Sequence, residues 1–256
     1  MRDTRHGDYG VDAPYVPIGL GIATTVALVL AAISFATSRT WQASLNTAPA
    51  VLLALSTASY LWTTKRGKFA VWAGLLDSLA MRGDERLLDV GCGRGAVLML
   101  AAKRLPRGQA VGIDLWSTKD QSGNGEQSAV RNAKLEGVDE RIALHTADMR
   151  HLPFTDRSFD VVTSSLAIHN IGNARGREQA LAEILRVLKP GGTALIVDIG
   201  HTAAYERYFA MQPGTFVERR GLGWRFWFGG PHVAARLVIM KRLIDVRPTP
   251  LRGISG

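Results

Sequence analysis

From about Phe69 onward the sequence predicts an α/β fold organised around a mostly parallel sheet, and three observations carry that expectation. Short β-rich runs alternate with helical stretches, the pattern of strands joined by crossover helices. One early run passes into a glycine-rich turn and then an apolar helix, as ligand-binding α/β units do. Near the end, two apolar stretches flank Gly229, Gly230 and Pro231, which predicts an antiparallel closure.

Strands are expected at 86–90, 110–114, 142–145, 159–164 and 193–198, with helices filling the gaps. The clearest helix covers 177–188. There Leu181, Ile184, Leu185 and Leu188 fall at i, i+3, i+4 and i+7 on one face, and Pro190, Gly191 and Gly192 stop it. The closing hairpin is expected to pair 224–228 with 235–241.

Ahead of this domain the chain obeys a different rule. No charged side chain occurs between Asp12 and Arg39 or between Arg39 and Lys65, which leaves uncharged windows of 26 and 25 residues. A bilayer core needs about 20 apolar residues of helix. Residues 16–35 meet that length, whereas 44–62 are diluted by Ser, Thr and Pro49. The expected organisation is a tail over 1–15, a two-helix membrane hairpin within 16–64 and an α/β domain over 65–256. Helices packed on a soluble domain are the competing expectation. A cleaved leader fits poorly, because the apolar run follows a tail carrying Asp3, Asp8 and Asp12. Lys65, Arg66 and Lys68 follow the second segment while the connection offers only Arg39, so the positive-inside rule predicts tail and domain in the cytoplasm.

Composition suits a folded protein, with 46% hydrophobic and 21% charged residues. The net charge of +9 attracts polyanions without choosing among them. Cys92 is the only cysteine, which excludes an intramolecular disulfide and a cysteine-rich metal site, and no metal is expected. Arg219, Arg220, Trp224, Arg225, Phe226, Trp227 and Phe228 form a basic and aromatic stretch. Strand alternation beside a membrane explains it better than a nucleic-acid surface does, so no nucleic-acid partner is expected.

The chemistry concentrates at strand ends. Leu87, Leu88, Asp89 and Val90 lead into Gly91, Cys92, Gly93, Arg94 and Gly95, where glycine lets the backbone bend and approach a ligand. The G-x-G-x-G spacing after an acid differs from the dinucleotide fingerprint, and no Tyr-x-x-x-Lys pair accompanies it, which argues against an NAD-dependent oxidoreductase. Asp114, 25 residues after Asp89, ends the next strand, where a carboxylate can accept both hydrogen bonds of a ribose diol. Leu115 and Trp116 follow it, either able to cover a base. His169 lies beyond Ser164 and Ser165, at the sheet end where α/β proteins bind ligands, and is the one neutral-range acid/base of that segment.

Leu87 to Gly95, read together with Asp114, the Ala147, Asp148, Met149 run, Phe159 to Val162 and the Leu188, Lys189, Pro190, Gly191, Gly192 run, resembles the class I S-adenosylmethionine (SAM)-dependent methyltransferases. The resemblance covers roughly 87–199 and more loosely extends to Lys241. It implies a Rossmann-like, seven-stranded, mostly parallel sheet with a C-terminal antiparallel hairpin, and SAM as cofactor. It implies SAM-binding roles for Asp89, Gly91, Cys92, Gly93, Gly95, Asp114, Leu115, Trp116, Asp148, Met149, Ser164 and Ser165. Within the family, the core is similar to the ubiquinone/menaquinone C-methyltransferases and other small-molecule enzymes. Ser164, Ser165, Leu166 and Ala167 stand where nucleic-acid amino-methyltransferases carry an Asn/Asp-Pro-Pro-aromatic run. A membrane anchor then predicts a small lipid- or quinone-like acceptor, with His169 as the candidate base where the acceptor must lose a proton. A SAM-binding membrane sensor without turnover, and an enzyme acting on a soluble small molecule, are the alternatives.

Overall fold

The computed structural model describes residues 5–37 and 40–244. Its centre is a seven-stranded sheet made of β1 (Arg86–Val90), β2 (Gln109–Asp114), β3 (Ile142–Thr146), β4 (Phe159–Ser165), β5 (Leu188–Asp198), β6 (Thr215–Gly221) and β7 (Arg236–Arg242). The strand order is β3-β2-β1-β4-β5-β7-β6. Strands β1 to β5 pair in parallel, and β7 is antiparallel to both β5 and β6. Alternate residues bury the two faces. Leu87, Ala110, Val161, Leu195 and Leu237 pack on one side with helices α3 (Lys68–Ser78) and α4 (Ala96–Lys103). Leu88, Val111, Val162, Ile196 and Val238 pack on the other with α6 (Ala174–Val187) and α7 (Thr202–Ala210). Burial on both faces accounts for the nearly continuous apolar runs of β1 and β2. Between β2 and β3 the chain forms α5 (Glu126–Glu136).

The closing hairpin differs from expectation. The partner of the last strand is β6, Thr215–Gly221, not 224–228. As an edge strand β6 carries Glu218, Arg219 and Arg220, which mask its period in the sequence. The 224–228 stretch instead makes a tight helical turn at Trp224–Phe226 and a single bridge, Trp227 to Ala234. Its aromatics pack on the end of the second N-terminal helix: Trp224 lies against Trp62, tilted, at 4.9 Å and Phe228 meets Tyr60 edge-on at 5.3 Å. Ser59 and Thr63 donate to the Trp227 carbonyl at 3.1 and 2.7 Å.

The two long N-terminal helices are α1 (Tyr15–Ala36) and α2 (Thr40–Trp62). They pack against each other. Small buried residues, Ala31 and Ser34 on α1 with Ala43 and Ala50 on α2, line the seam, where Asn46 donates to Ser34 at 3.2 Å. Small side chains and an interhelical hydrogen bond are how helices associate where there is no water to drive them together. The outer faces expose Ile18, Ile22, Val26, Leu28, Val29 and Ile33 of α1, and Leu45, Leu52 and Leu55 of α2. So broad an apolar surface is unusual on a soluble monomer. Among the described residues only α1 is long and apolar enough to cross a membrane by itself. The second expected span falls short because Gln42, Ser44, Asn46, Thr47, Pro49 and Ser56 dilute α2. From α2 the chain runs through a wider helical turn, Thr63–Gly67, into α3, so the expected boundary at 64/65 lies inside a continuous helical run.

The segment before α1 crosses back over the catalytic domain. Asp12 forms an antiparallel bridge with Gln121, Ala13 N donates to Asp120 O at 2.9 Å, and Ser122 N to Val11 O at 3.1 Å. Asp8 pairs with Arg94 at 2.7 Å, and Tyr9 donates its hydroxyl to Glu136 at 2.9 Å. Both ends of the helical hairpin therefore meet the same domain.

Candidate functional site

A cavity of about 400 Å³ opens at the carboxyl ends of β1, β2 and β4, where strand order reverses between β1 and β4. The strand-to-helix turn after β1 forms its floor. Gly91 and Gly93 adopt φ of +74° and +52°, in the left-handed region that side-chain-bearing residues avoid. The turn is held by Gly91 N and Cys92 N donating to Ile113 O at 2.9 and 3.0 Å. Gly93 N donates to Asp114 Oδ2 at 2.8 Å.

The sequence-identified residues divide. Asp89, Gly91, Cys92, Gly93, Asp114, Leu115, Asp148, Met149 and Ser165 line the cavity, whereas Gly95, Trp116, Ser164 and His169 do not. Gly95 caps α4. Trp116 turns its indole to Thr146, donating at 2.7 Å. Ser164 is buried and donates to Val90 O at 2.9 Å. Ser165 accepts from the indole of Trp72 at 2.9 Å.

Charge is graded across the cavity. Burial raises the Asp89 carboxyl to about 7, against the Thr163 hydroxyl bond that favours its charged form and with the neighbouring Asp114 adding to the rise. Burial also pushes the Cys92 thiol up, assisted by Asp89 and Asp114, which disfavours the thiolate. Asp148 is lowered, first by its hydrogen bond to the Arg150 side chain, which grips it through two nitrogens. At Asp114 one oxygen accepts from Trp116 N at 2.6 Å and from Asn124 at 3.3 Å. Asn124 Oδ1 is buried with no hydrogen-bond partner among the described residues. An orphaned acceptor beside a strand-end carboxylate suits a ligand hydroxyl, so the residues present fit the ribose of SAM.

Sequence reasoning missed Asp12, Lys68 and Asn170 on the cavity wall and left Gln121 and Asn124 without a role. The first two carry no local signal. Lys68 stands in a basic cluster that reads as a membrane flank, yet it is 4% exposed and turned into the cavity. The signal that could have found Gln121 and Asn124 is the polar run Lys119, Asp120, Gln121 and Asn124 just after the Asp114 strand end.

His169 lies beside the cavity, its Nδ1 2.5 Å from Asp198 Oδ1, and its backbone N donates to Asp198 Oδ2 at 3.0 Å. Burial disfavours its charged form, but the hydrogen bond and charge of Asp198 outweigh burial and raise its pKa. A raised folded pKa adds stability that is complete below the unfolded value of about 6.5 and fades as pH rises through the folded one. The melting-temperature gap between wild type and His169→Ala is therefore expected to be widest near pH 6 and to narrow on alkalinisation. A gap constant from about pH 6 to about pH 9 would refute the pairing.

Residues 88–196 match a family model described as a methyltransferase domain. The chain is similar to the "Ubiquinone/menaquinone biosynthesis C-methyltransferase UbiE" of Dinoroseobacter shibae, 36% identical over 149 residues, which are 56% of this chain and 56% of the relative. It is 29% identical to the "Demethylmenaquinone methyltransferase" of Lactobacillus johnsonii over 66% of this chain and 68% of the relative. The chain thus spans little more than half of the first relative's length. A solved SAM-dependent methyltransferase from Aquifex aeolicus superposes with a TM-score of 0.51 at 17% identity, covering 66% of this chain and 88% of that one. At that identity the superposition speaks for the fold alone.

Proposed function

We propose that the chain, whose residues 88–196 match a methyltransferase-domain model, is a membrane-anchored class I SAM-dependent enzyme methylating a small, apolar, lipid- or quinone-like acceptor. The observation that carries the reading is the place of the cavity. It opens at the foot of an apolar helical hairpin and shares with it the continuous helical run through Lys68. The names of the curated relatives, both quinone methyltransferases, support the acceptor class.

SAM, when bound, supplies a methyl group activated on a sulfonium. The chain's own task is to hold the acceptor in line and keep water out, and orientation can account for much of the acceleration. Leu166, Ala167 and Ile171 give the wall after β4 an apolar character suited to such an acceptor, while Asn170 adds one polar group. His169 is held by Asp198 off the cavity wall, which favours a positioning role over that of a base.

Incubating the full-length protein with methyl-labelled SAM and a total membrane lipid extract is expected to place label in the apolar fraction. Label confined to soluble metabolites would defeat the acceptor class, and label in no fraction would favour a sensor without turnover.

The reading includes a two-span topology with tail and catalytic domain in the cytoplasm. Its main support is that residues 8–13 contact the domain, which requires both ends of the hairpin on one side. With Lys68 turned inward, Lys65 and Arg66 remain as the flanking charges at the second helix end. Reporter fusions at Arg39 and at the C-terminus are expected to report opposite sides, and alkaline carbonate to leave the protein in the membrane. Release by carbonate, or two fusions on one side, would mean that α1 and α2 do not span.

A further inference from the structure

We propose that Asp12 and Lys68 form the subsite for the amino-acid end of SAM, the Asp12 carboxylate taking its α-ammonium and the Lys68 ammonium its α-carboxylate. The inference rests on the SAM-binding reading above and adds two residues that lie outside every glycine turn and strand-end motif. Lys68 Nζ lies 2.8 and 2.9 Å from the two Asp12 oxygens, and the side chains are only 6% and 16% exposed. Both residues nonetheless line the cavity, so a charged pair faces a space of ligand size and is not sealed in the core.

Their position follows from the rest of the site. Asp114 and Asn124 mark where a ribose fits, and Asp148 and Met149 form the wall beyond β3. The other end lies over the carboxyl ends of β1 and β4. Trp72, one helical turn after Lys68, donates to Ser165 at 2.9 Å and so sets this face of α3 above the end of β4. Asp12 arrives from the opposite side through its bridge to Gln121, whose Oε1 accepts from Arg94 N at 2.9 Å beside the glycine turn. Thr64 donates to Asp12 Oδ2 at 3.0 Å and fixes the carboxylate.

A cation and an anion side by side match a head group carrying an ammonium and a carboxylate on one carbon. When the ligand enters, the internal pair opens and each charge meets its opposite, so the site gains contacts without gaining net charge. Burial is what gives those contacts weight, because an exposed pair would already be satisfied by water.

Calorimetry on the full-length protein in detergent, with SAM and with decarboxylated SAM as ligands, tests the subsite. Decarboxylated SAM keeps the ammonium and the sulfonium but lacks the carboxylate that Lys68 would meet. Wild type is expected to bind SAM roughly ten- to a hundredfold more tightly than decarboxylated SAM. Lys68→Met is expected to remove most of that preference. Asp114→Ala, placed at the ribose, is expected to weaken both ligands alike and keep the preference. Equal binding of the two ligands by wild type, or undiminished discrimination by Lys68→Met, overturns the subsite while leaving SAM binding intact. Failure of wild type to bind SAM at all overturns the cofactor reading and the subsite together.

Discussion

A Gly91→Val protein is expected to bind SAM at least about a hundredfold more weakly than wild type, the largest loss that one substitution in the cavity should cause. Two effects combine at this position. The backbone sits at φ +74°, where a β-branched residue is strained, and a Cβ built there would lie 2.3 Å from the Cβ of Ala167. Ala167 belongs to the wall that follows β4, so relieving the clash pushes that wall away from the glycine turn and deforms the cavity between them. Gly93 is the milder case despite its similar conformation, because its Cβ would meet Gln121 Oε1, the end of a flexible side chain, at 2.6 Å. Calorimetric titration of both variants ranks them. A Gly91→Val protein with wild-type affinity would mean that the turn does not floor the cofactor site.

Trp72→Ala is expected to cost about 3–5 kcal/mol of stability, the range for emptying a large aromatic site in a core. Trp72 is 1% exposed and packs among the residues joining α3 to the sheet. Its indole also donates to Ser165, so the substitution leaves that hydroxyl without its donor at the end of β4. Trp72→Phe should retain most of the packing and lose about 1 kcal/mol through the hydrogen bond. Denaturant unfolding followed through the catalytic domain measures both, and a Trp72→Ala loss below about 1 kcal/mol would show that α3 is not part of the core.

What the sequence disclosed follows the range of the forces involved. The β1 turn was legible because a buried run, an acid and three glycines at fixed spacing are one local unit, whose conformational demands fall on neighbours. Asp114 was legible for the same reason, ending a strand whose apolar pattern is complete in six residues. The partner of the last strand was not, since β6 lies at a sheet edge and its charged residues hide the alternation. Asp12 and Lys68 were hidden more deeply. They meet across 56 residues, and Gln121 reaches Asp12 across 109, so no local pattern links the tail to the cavity. The basic cluster at 65–68 was legible as charge, but only packing separates Lys65, which donates to Gly10 O from an exposed position, from Lys68, buried beside Asp12.

The returning tail also sets a timetable. Tyr9 leaves the ribosome early and must wait for Glu136, 127 residues later, before its hydroxyl has an acceptor, and Val11 waits 111 residues for Ser122. Contacts of such sequence separation close late, because the chain entropy of the intervening loop is lost before they form. The first-made residues therefore close one wall of the cavity only after their distant partners exist. A molecule whose tail failed to dock would lack the Asp8–Arg94 pair and the Asp12 strand bridge, and its 117–125 loop would be held from the Arg94 and Asp114 side alone, more open to proteases.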